Sequence, residues 1–197
     1  MKEIWNDRYS DKDYFYGIAP NPQFKSFIDN NKPGKILLPA EGEGRNAVYA
    51  ASKGWEVTAL DFSVTAKTKA LQLAKINQTS IQYTIIDVLS FQAPPKSFDY
   101  IACVFMHLPF HELTKVNKHL LSLLKTNGKL LIVGFNKHQL QHCSGGPKNK
   151  DWLFSAQQFE NEFASYKLPQ CTDITTSLSE GKGHTGKAAI TVVELIK

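Results

Sequence analysis

Apolar positions along the 197-residue chain fall into two kinds of segment that alternate from Gly34 onward. One kind is a short, nearly unbroken apolar run, the pattern of a strand buried on both faces. The other spaces its apolar residues three and four apart, the pattern of a helix lying on such a sheet. Lys35–Pro39 (KILLP) follows Pro33-Gly34 and reads as a first strand. Arg45–Lys53 reads as a helix stopped by Gly54, and Trp55–Leu60 as a second strand. Ser63 is suited to cap a helix to about Asn77, with Ala66, Ala70, Leu73 and Ala74 on one face. Ile81–Ile86 is a third strand, and Phe98–Phe105, apolar throughout, a central fourth. Glu112–Lys125 carries Leu113, Val116, Leu120 and Leu124 at helical spacing before the stop signal Asn127-Gly128; Lys129–Phe135 is a fifth strand. Ser155–Tyr166 reads as a helix. Pro169–Leu178 and Ala188–Ile196 read as two strands around a glycine-rich turn, Glu180 to Gly186.

Alternating strands and helices predict an α/β fold, a doubly wound Rossmann-like sheet, and the last two strands predict an antiparallel hairpin at one edge. No internal repeat or linker divides the chain, so residues 1–197 are expected to form a single domain. Residues 1–30 precede the first strand and hold Trp5, Tyr9, Tyr14, Phe15, Tyr16, Phe24 and Phe27. That density of aromatic side chains fits either core packing or a helical lid segment over the sheet.

Composition narrows the class. With 42% hydrophobic and 21% charged residues the chain can bury a core, which excludes disorder. No run approaches the roughly 20 apolar residues of a membrane helix, and the charged first eight residues do not resemble a signal peptide. Cys103, Cys143 and Cys171 are odd in number and widely spaced, which argues against a disulfide framework and for a reducing, cytoplasmic setting. The net charge of +5 is dispersed and carried almost wholly by lysine, with only Arg8 and Arg45 as arginines, so no nucleic-acid partner is expected. His119, His138 and His142 lack ligand spacing, and no metal is expected. Nothing in the sequence chooses between monomer and homodimer.

The first strand runs into Ala40-Glu41-Gly42-Glu43-Gly44-Arg45-Asn46-Ala47. Glycines here let the backbone turn tightly at the carboxyl end of a strand, where open α/β sheets bind ligands. Asp61 ends the second strand, 17 residues beyond Gly44, and can accept from both hydroxyls of a ribose; its bland role is that of an acid at the next helix start. Gly42-x-Gly44-x-x-Ala47 also satisfies a dinucleotide fingerprint. Glu41 and Glu43, however, would repel a pyrophosphate and suit the cationic S-adenosylmethionine better. Asp87 ends the third strand, where it can accept from an adenine amino group or cap its own loop.

The order of these segments resembles that of class I S-adenosylmethionine-dependent methyltransferases, in particular small bacterial enzymes related to the tellurite-resistance and thiopurine methyltransferases. The resemblance covers nearly the whole chain. It includes Trp5, Arg8 and Tyr9, Gly145-Gly146-Pro147-Lys148, and Glu180-Gly181 with His184, Gly186, Lys187 and Ala188. It implies a seven-stranded, mostly parallel sheet with an antiparallel last strand. It also implies S-adenosylmethionine as cofactor and contacts at Trp5, Ala40, Glu41, Gly42, Gly44, Asp61, Phe62, Asp87, Val88 and Phe105. Leu38 and Ala40 stand where the wider superfamily has an acid and a glycine.

Methyl transfer from a sulfonium is an in-line displacement that depends on alignment and exclusion of water. An anionic or soft acceptor needs no strong base, whereas a hydroxyl or ammonium does. His107 and His184 are the candidates for the substrate side. The rival readings are a neutral histidine satisfied by backbone for His107 and an exposed turn residue for His184; His111 reads as a helix-start residue and Cys103 as core. The expected activity is methyl transfer to a small molecule such as a thiol or tellurite-like oxyanion. An NAD-dependent oxidoreductase or a non-catalytic binding protein on the same sheet is the alternative.

Overall fold

The computed structural model describes residues 2–197, with nothing stated of the Lys2 side chain. Two helices come first, α1 (Lys2–Arg8) and α2 (Pro22–Asp29), the second opened by Pro22 and capped by the Asn21 carboxamide. The alternating body follows: β1 (Lys35–Pro39), α3 (Arg45–Ser52), β2 (Glu56–Asp61), α4 (Val64–Ile76), β3 (Gln82–Ile85), β4 (Phe98–Val104), α5 (Phe110–Leu123) and β5 (Leu124–Phe135). A short helix α6 (Ala156–Glu162) leads to β6 (Lys167–Glu180) and β7 (His184–Ile196). The seven strands lie in the order β3-β2-β1-β4-β5-β7-β6. All neighbours are parallel except that β7 runs antiparallel to both β5 and β6.

Strand alternation builds a core on each face. Ile36 and Leu38 point to the face covered by Phe24, Phe27 and Ala47, while Leu37 points to the face covered by Leu113, Leu120 and Phe159. Along β5, Leu131, Val133 and Phe135 take the first face, and Leu130 and Ile132 the second. Both faces are therefore sealed, as the unbroken apolar runs require.

Three boundaries differ from the sequence reading. The helix expected to reach Lys125 leaves two residues earlier, because Leu124 is fully buried as a strand residue paired with Phe98, and the reversal falls on Asn127 at φ +62°. The expected helix Ser155–Tyr166 shortens to α6. The closing strands are longer than expected, and their turn contracts to residues 181–183. The cause of this contraction lies in Gly181 and Gly183: a Cβ on either would press against the backbone or rings of Phe15 and Tyr16, which hold the turn from above.

Candidate functional site

The carboxyl ends of β1, β2 and β4 form one side of a cleft. Beyond β1 the chain takes left-handed conformations at Ala40 (φ +52°), Gly42 (φ +65°) and Gly44 (φ +88°). Gly44 caps α3 and sits so close to α4 that a Cβ would come within 2.6 Å of the Ala70 Cβ. The loop is fastened to β2, with the Glu41 N–H donating to the Leu60 carbonyl (3.0 Å) and the Gly42 N–H to the Asp61 Oδ2 (3.0 Å). Asp61 Oδ1 accepts from the Ser63 N–H (2.9 Å), and the Ser63 hydroxyl accepts from the Ala66 N–H to start α4. Asp61 thus performs the bland helix-start role and, through its other oxygen, ties the glycine loop to β2. Burial raises its carboxyl pKa, against the pull of these backbone N–H groups.

The two loop glutamates do not face outward as a negative patch. Glu41 Oε1 accepts from the Ala47 N–H (2.7 Å) in the first turn of α3, and burial pushes its carboxyl up to about 7. Glu43 is buried against Lys69 as an ion pair and accepts from the Phe15 N–H (2.7 Å). Glu41 thus opposes a pyrophosphate by filling one of the N–H groups at the start of α3 that would grip it, and not as an outward-facing charge.

The Trp5 ring, on α1, lies tilted with its centroid 5.6 Å from that of Tyr9, whose hydroxyl lies against Gly42 and whose side chain is buried. Arg8 lies over the Trp5 ring at 4.5 Å and donates to the Tyr16 hydroxyl. The segment between α1 and α2 crosses the cleft. Lys69 Nζ donates to the Asp11 and Asp13 carbonyls, and the Gly183 N–H donates to the Phe15 carbonyl. Of the leader aromatics, Tyr9, Phe24 and Phe27 are buried in the core. Phe62 is half-buried beside Asp61, and the Ile86 N–H donates to the Asp61 carbonyl, bringing the β3 end alongside. Asp87 is exposed and accepts from the Leu89 N–H (2.9 Å), with Val88 next to it packed against the core.

Across the cleft, Phe105 (φ +55°) ends β4, and its ring lies 4.7 Å from Phe135 and 4.4 Å from His184. His107 is neighbouring but has no free nitrogen. Its Nε2 must accept, because its partner is the Phe135 N–H (3.1 Å), so its Nδ1 carries the proton donated to the Trp152 carbonyl (2.8 Å). Burial lowers its pKa to about 4. Both His107 nitrogens are thus engaged by backbone groups, the arrangement of a neutral histidine satisfied by backbone. His184 is 4% exposed, so it is not an exposed turn residue. Its Nδ1 meets Glu180 Oε2 at 2.9 Å, and Glu180 is also bonded by Arg45 (3.0 Å) and by the Asn21 carboxamide (2.7 Å).

Tyr83, Arg45, Glu180 and Asn21 escaped the sequence reading as site residues. Tyr83 donates to the Gly42 carbonyl (2.6 Å) and shares the buried side of Asp61. A buried tyrosine hydroxyl needs a partner, which was the available signal for Tyr83. For Arg45 the signal was its rarity at the first position after a glycine turn. Among the described residues no group of three His, Cys, Asp or Glu side chains is placed to hold a metal ion, and no helix is long and apolar enough to cross a membrane.

Residues 36–128 match the family described as Methyltransferase domain. No curated protein matches the sequence. Among solved structures, one reported for conversion of a disulfide bond into a thioacetal group during echinomycin biosynthesis is 16% identical, with a TM-score of 0.80, covering 100% of this chain and 92% of that one. TehB from Haemophilus influenzae is 16% identical at a TM-score of 0.75, covering 100% of this chain and 66% of that one. Magnesium protoporphyrin IX methyltransferase from Synechocystis PCC 6803, with bound S-adenosylmethionine, is 16% identical at 0.71, covering 100% and 96%.

Proposed function

We propose that this chain is a class I methyltransferase that draws a methyl group from S-adenosylmethionine and passes it to a small-molecule acceptor such as a thiol or tellurite-like oxyanion in the cleft between the Gly42–Gly44 loop and His184. In this reading Asp61 holds the ribose hydroxyls. Trp5, Ala40, Glu41, Gly42, Gly44 and Phe62 surround the cofactor on one side, and Asp87, Val88 and Phe105 on the other. The residues fit that group. A carboxylate has about four acceptor positions, and the Gly42 and Ser63 N–H groups use two of those on Asp61. When bound, the cofactor supplies an electrophilic methyl carbon on a sulfonium. The chain's own contribution is orientation and a roof of Tyr9, Phe15 and Tyr16 that excludes water. The free thiols of Cys103, Cys143 and Cys171 accord with work in a reducing cytoplasm.

The observation that carries this reading is Glu41 on the Ala47 N–H: a self-capped α3 favours a phosphate-free adenosine ligand over a dinucleotide. Thermal unfolding with S-adenosylhomocysteine and with NAD tests it. At 100 times the dissociation constant, S-adenosylhomocysteine is expected to stabilise the fold by about 2.7 kcal/mol, with no shift from NAD. Stabilisation by NAD alone would reverse the assignment, and stabilisation by neither would favour a non-catalytic protein.

A further inference from the structure

Behind His184 stands a buried polar cluster drawn from both ends of the chain. Glu180 and His184 face each other across the β6–β7 turn. Arg45 comes from the first turn of α3 and also donates to the Tyr16 carbonyl. Asn21 donates to Glu180 Oε1 while its own N–H donates to the Asn46 carboxamide oxygen (2.9 Å). Every oxygen of Glu180 is taken by a donor.

This fixes the state of His184. A carboxylate held by a guanidinium can only accept, so the His184 Nδ1 must carry a proton. Arg45 already balances the Glu180 charge, and an imidazolium would add an unpaired positive charge to a buried cluster. Burial lowers the His184 pKa, opposed by Glu180 and aided by Arg45 and by Arg8 from α1; Tyr16 and His107 are the other titratable groups facing it, and His107 is itself neutral. The imidazole is therefore the neutral Nδ1–H tautomer. Its Nε2 makes no hydrogen bond with any described residue. The ring stands among Tyr16 (4.5 Å), Phe105 (4.4 Å) and Phe135 (4.9 Å), where β4 and β5 end.

We infer that Glu180, Arg45 and Asn21 are positioning residues that present His184 Nε2 as the proton acceptor of the reaction, and that the acceptor is an uncharged S–H or O–H acid with an apolar body, an alkyl thiol or a phenol, in preference to an oxyanion. This rests on the methyl-transfer reading above. In the step, the acceptor's proton passes to Nε2 as its sulfur or oxygen bonds the methyl carbon. The carbon–sulfur bond to the donor breaks with its electron pair going to sulfur, giving S-adenosylhomocysteine, and the imidazolium returns its proton to water. The apolar wall of Tyr16, Phe105 and Phe135 favours the uncharged form of the acceptor over an oxyanion, whose desolvation there would be costly.

Two measurements test this. Nitrogen-15 spectra of the imidazoles at pH 7.5, assigned with His184→Gln, are expected to show His184 neutral with its proton on Nδ1, and Glu180→Gln is expected to give a mixture of tautomers. An imidazolium or an Nε2–H tautomer in the wild type overturns the inference without reference to activity. Initial rates with S-adenosylmethionine are then taken for 2-mercaptoethanol, phenol, an aromatic thiol already ionised at the assay pH, and tellurite. His184→Gln is expected to lower kcat about 100-fold for the protonated acceptors and by less than about threefold for the ionised thiol. Glu180→Gln is expected to shift the pH profile of the protonated acceptors in the same direction as the tautomer change. Equal losses on all acceptors, or turnover of tellurite with no S–H or O–H acid methylated, overturn it. Calorimetry separates the two levels. If the wild type fails to bind S-adenosylhomocysteine, the methyl-transfer reading falls and takes this inference with it. Retained binding in His184→Gln with unchanged turnover of the protonated acceptors removes the inference alone.

Discussion

The two sides of the cleft solve the problem of a buried carboxylate in opposite ways. On the side of β1 and β2, Asp61 and Glu41 are held by backbone N–H groups, and burial raises both. On the side of the β6–β7 turn, burial also acts to raise Glu180, but the hydrogen bonds and charges of His184 and Arg45 outweigh it and hold the carboxyl at about 2. The first arrangement leaves acceptor capacity for a neutral hydroxyl or a cation and binds its own proton readily. The second consumes its acceptor capacity inside the protein and fixes a neighbour's geometry. One side is built to receive a ligand, the other to orient a side chain.

The largest expected effect comes from removing the cation that makes Glu180 different. Arg45→Met leaves a buried carboxylate without its counter-charge and is expected to cost about 3–5 kcal/mol in urea denaturation at pH 7.5. In the wild type the Glu180 contribution is fully present above the ordinary glutamate pKa of 4.5 and is lost as pH falls toward about 2; in Arg45→Met this loss begins at higher pH. A loss under about 1 kcal/mol would make the two sides alike.

On the receiving side, Asp61→Asn keeps one acceptor oxygen for the loop but exchanges the other for a donor. The expected outcome is roughly tenfold weaker S-adenosylhomocysteine binding by calorimetry, about 1.4 kcal/mol. Unchanged affinity would show that Asp61 serves only the loop.

A third effect appears only in the pH dependence and concerns Glu41. Its folded pKa is raised, so the folded state binds more protons than the unfolded one between 4.5 and about 7, and wild-type stability declines as pH rises through that window. Glu41→Gln keeps the acceptor for Ala47 and is expected to flatten that decline by roughly 3 kcal/mol at most across the window, read from urea midpoints at pH 4.5 and 7.5. An unchanged slope would place the titration elsewhere.

Much of this was legible in the sequence. The alternation of apolar runs and helical spacing gave the succession of strands and helices and the antiparallel hairpin at one edge, and the acid beside Ser63 gave a helix start, since these follow from local pattern; the tie from Asp61 to the glycine loop did not show. Strand ends were less legible. The β5 start depends on Leu124 meeting Phe98 across the sheet, a contact no local pattern encodes. The cluster around Glu180 was invisible for the same reason, because Arg45 and Asn21 lie 135 and 159 residues away. His184 could be named as a candidate, but its burial and its bonded Nδ1 follow only from those distant partners. His107 shows the converse: its position was legible, while the two backbone bonds that close its nitrogens were not.

The bond from Asn21 to Glu180, with the Phe15–Gly183 bond beside it, has a temporal consequence. During synthesis on the ribosome Asn21 and Arg45 emerge long before Glu180, so β1 to β5 can pair before β6 and β7 arrive and the surroundings of His184 come into being.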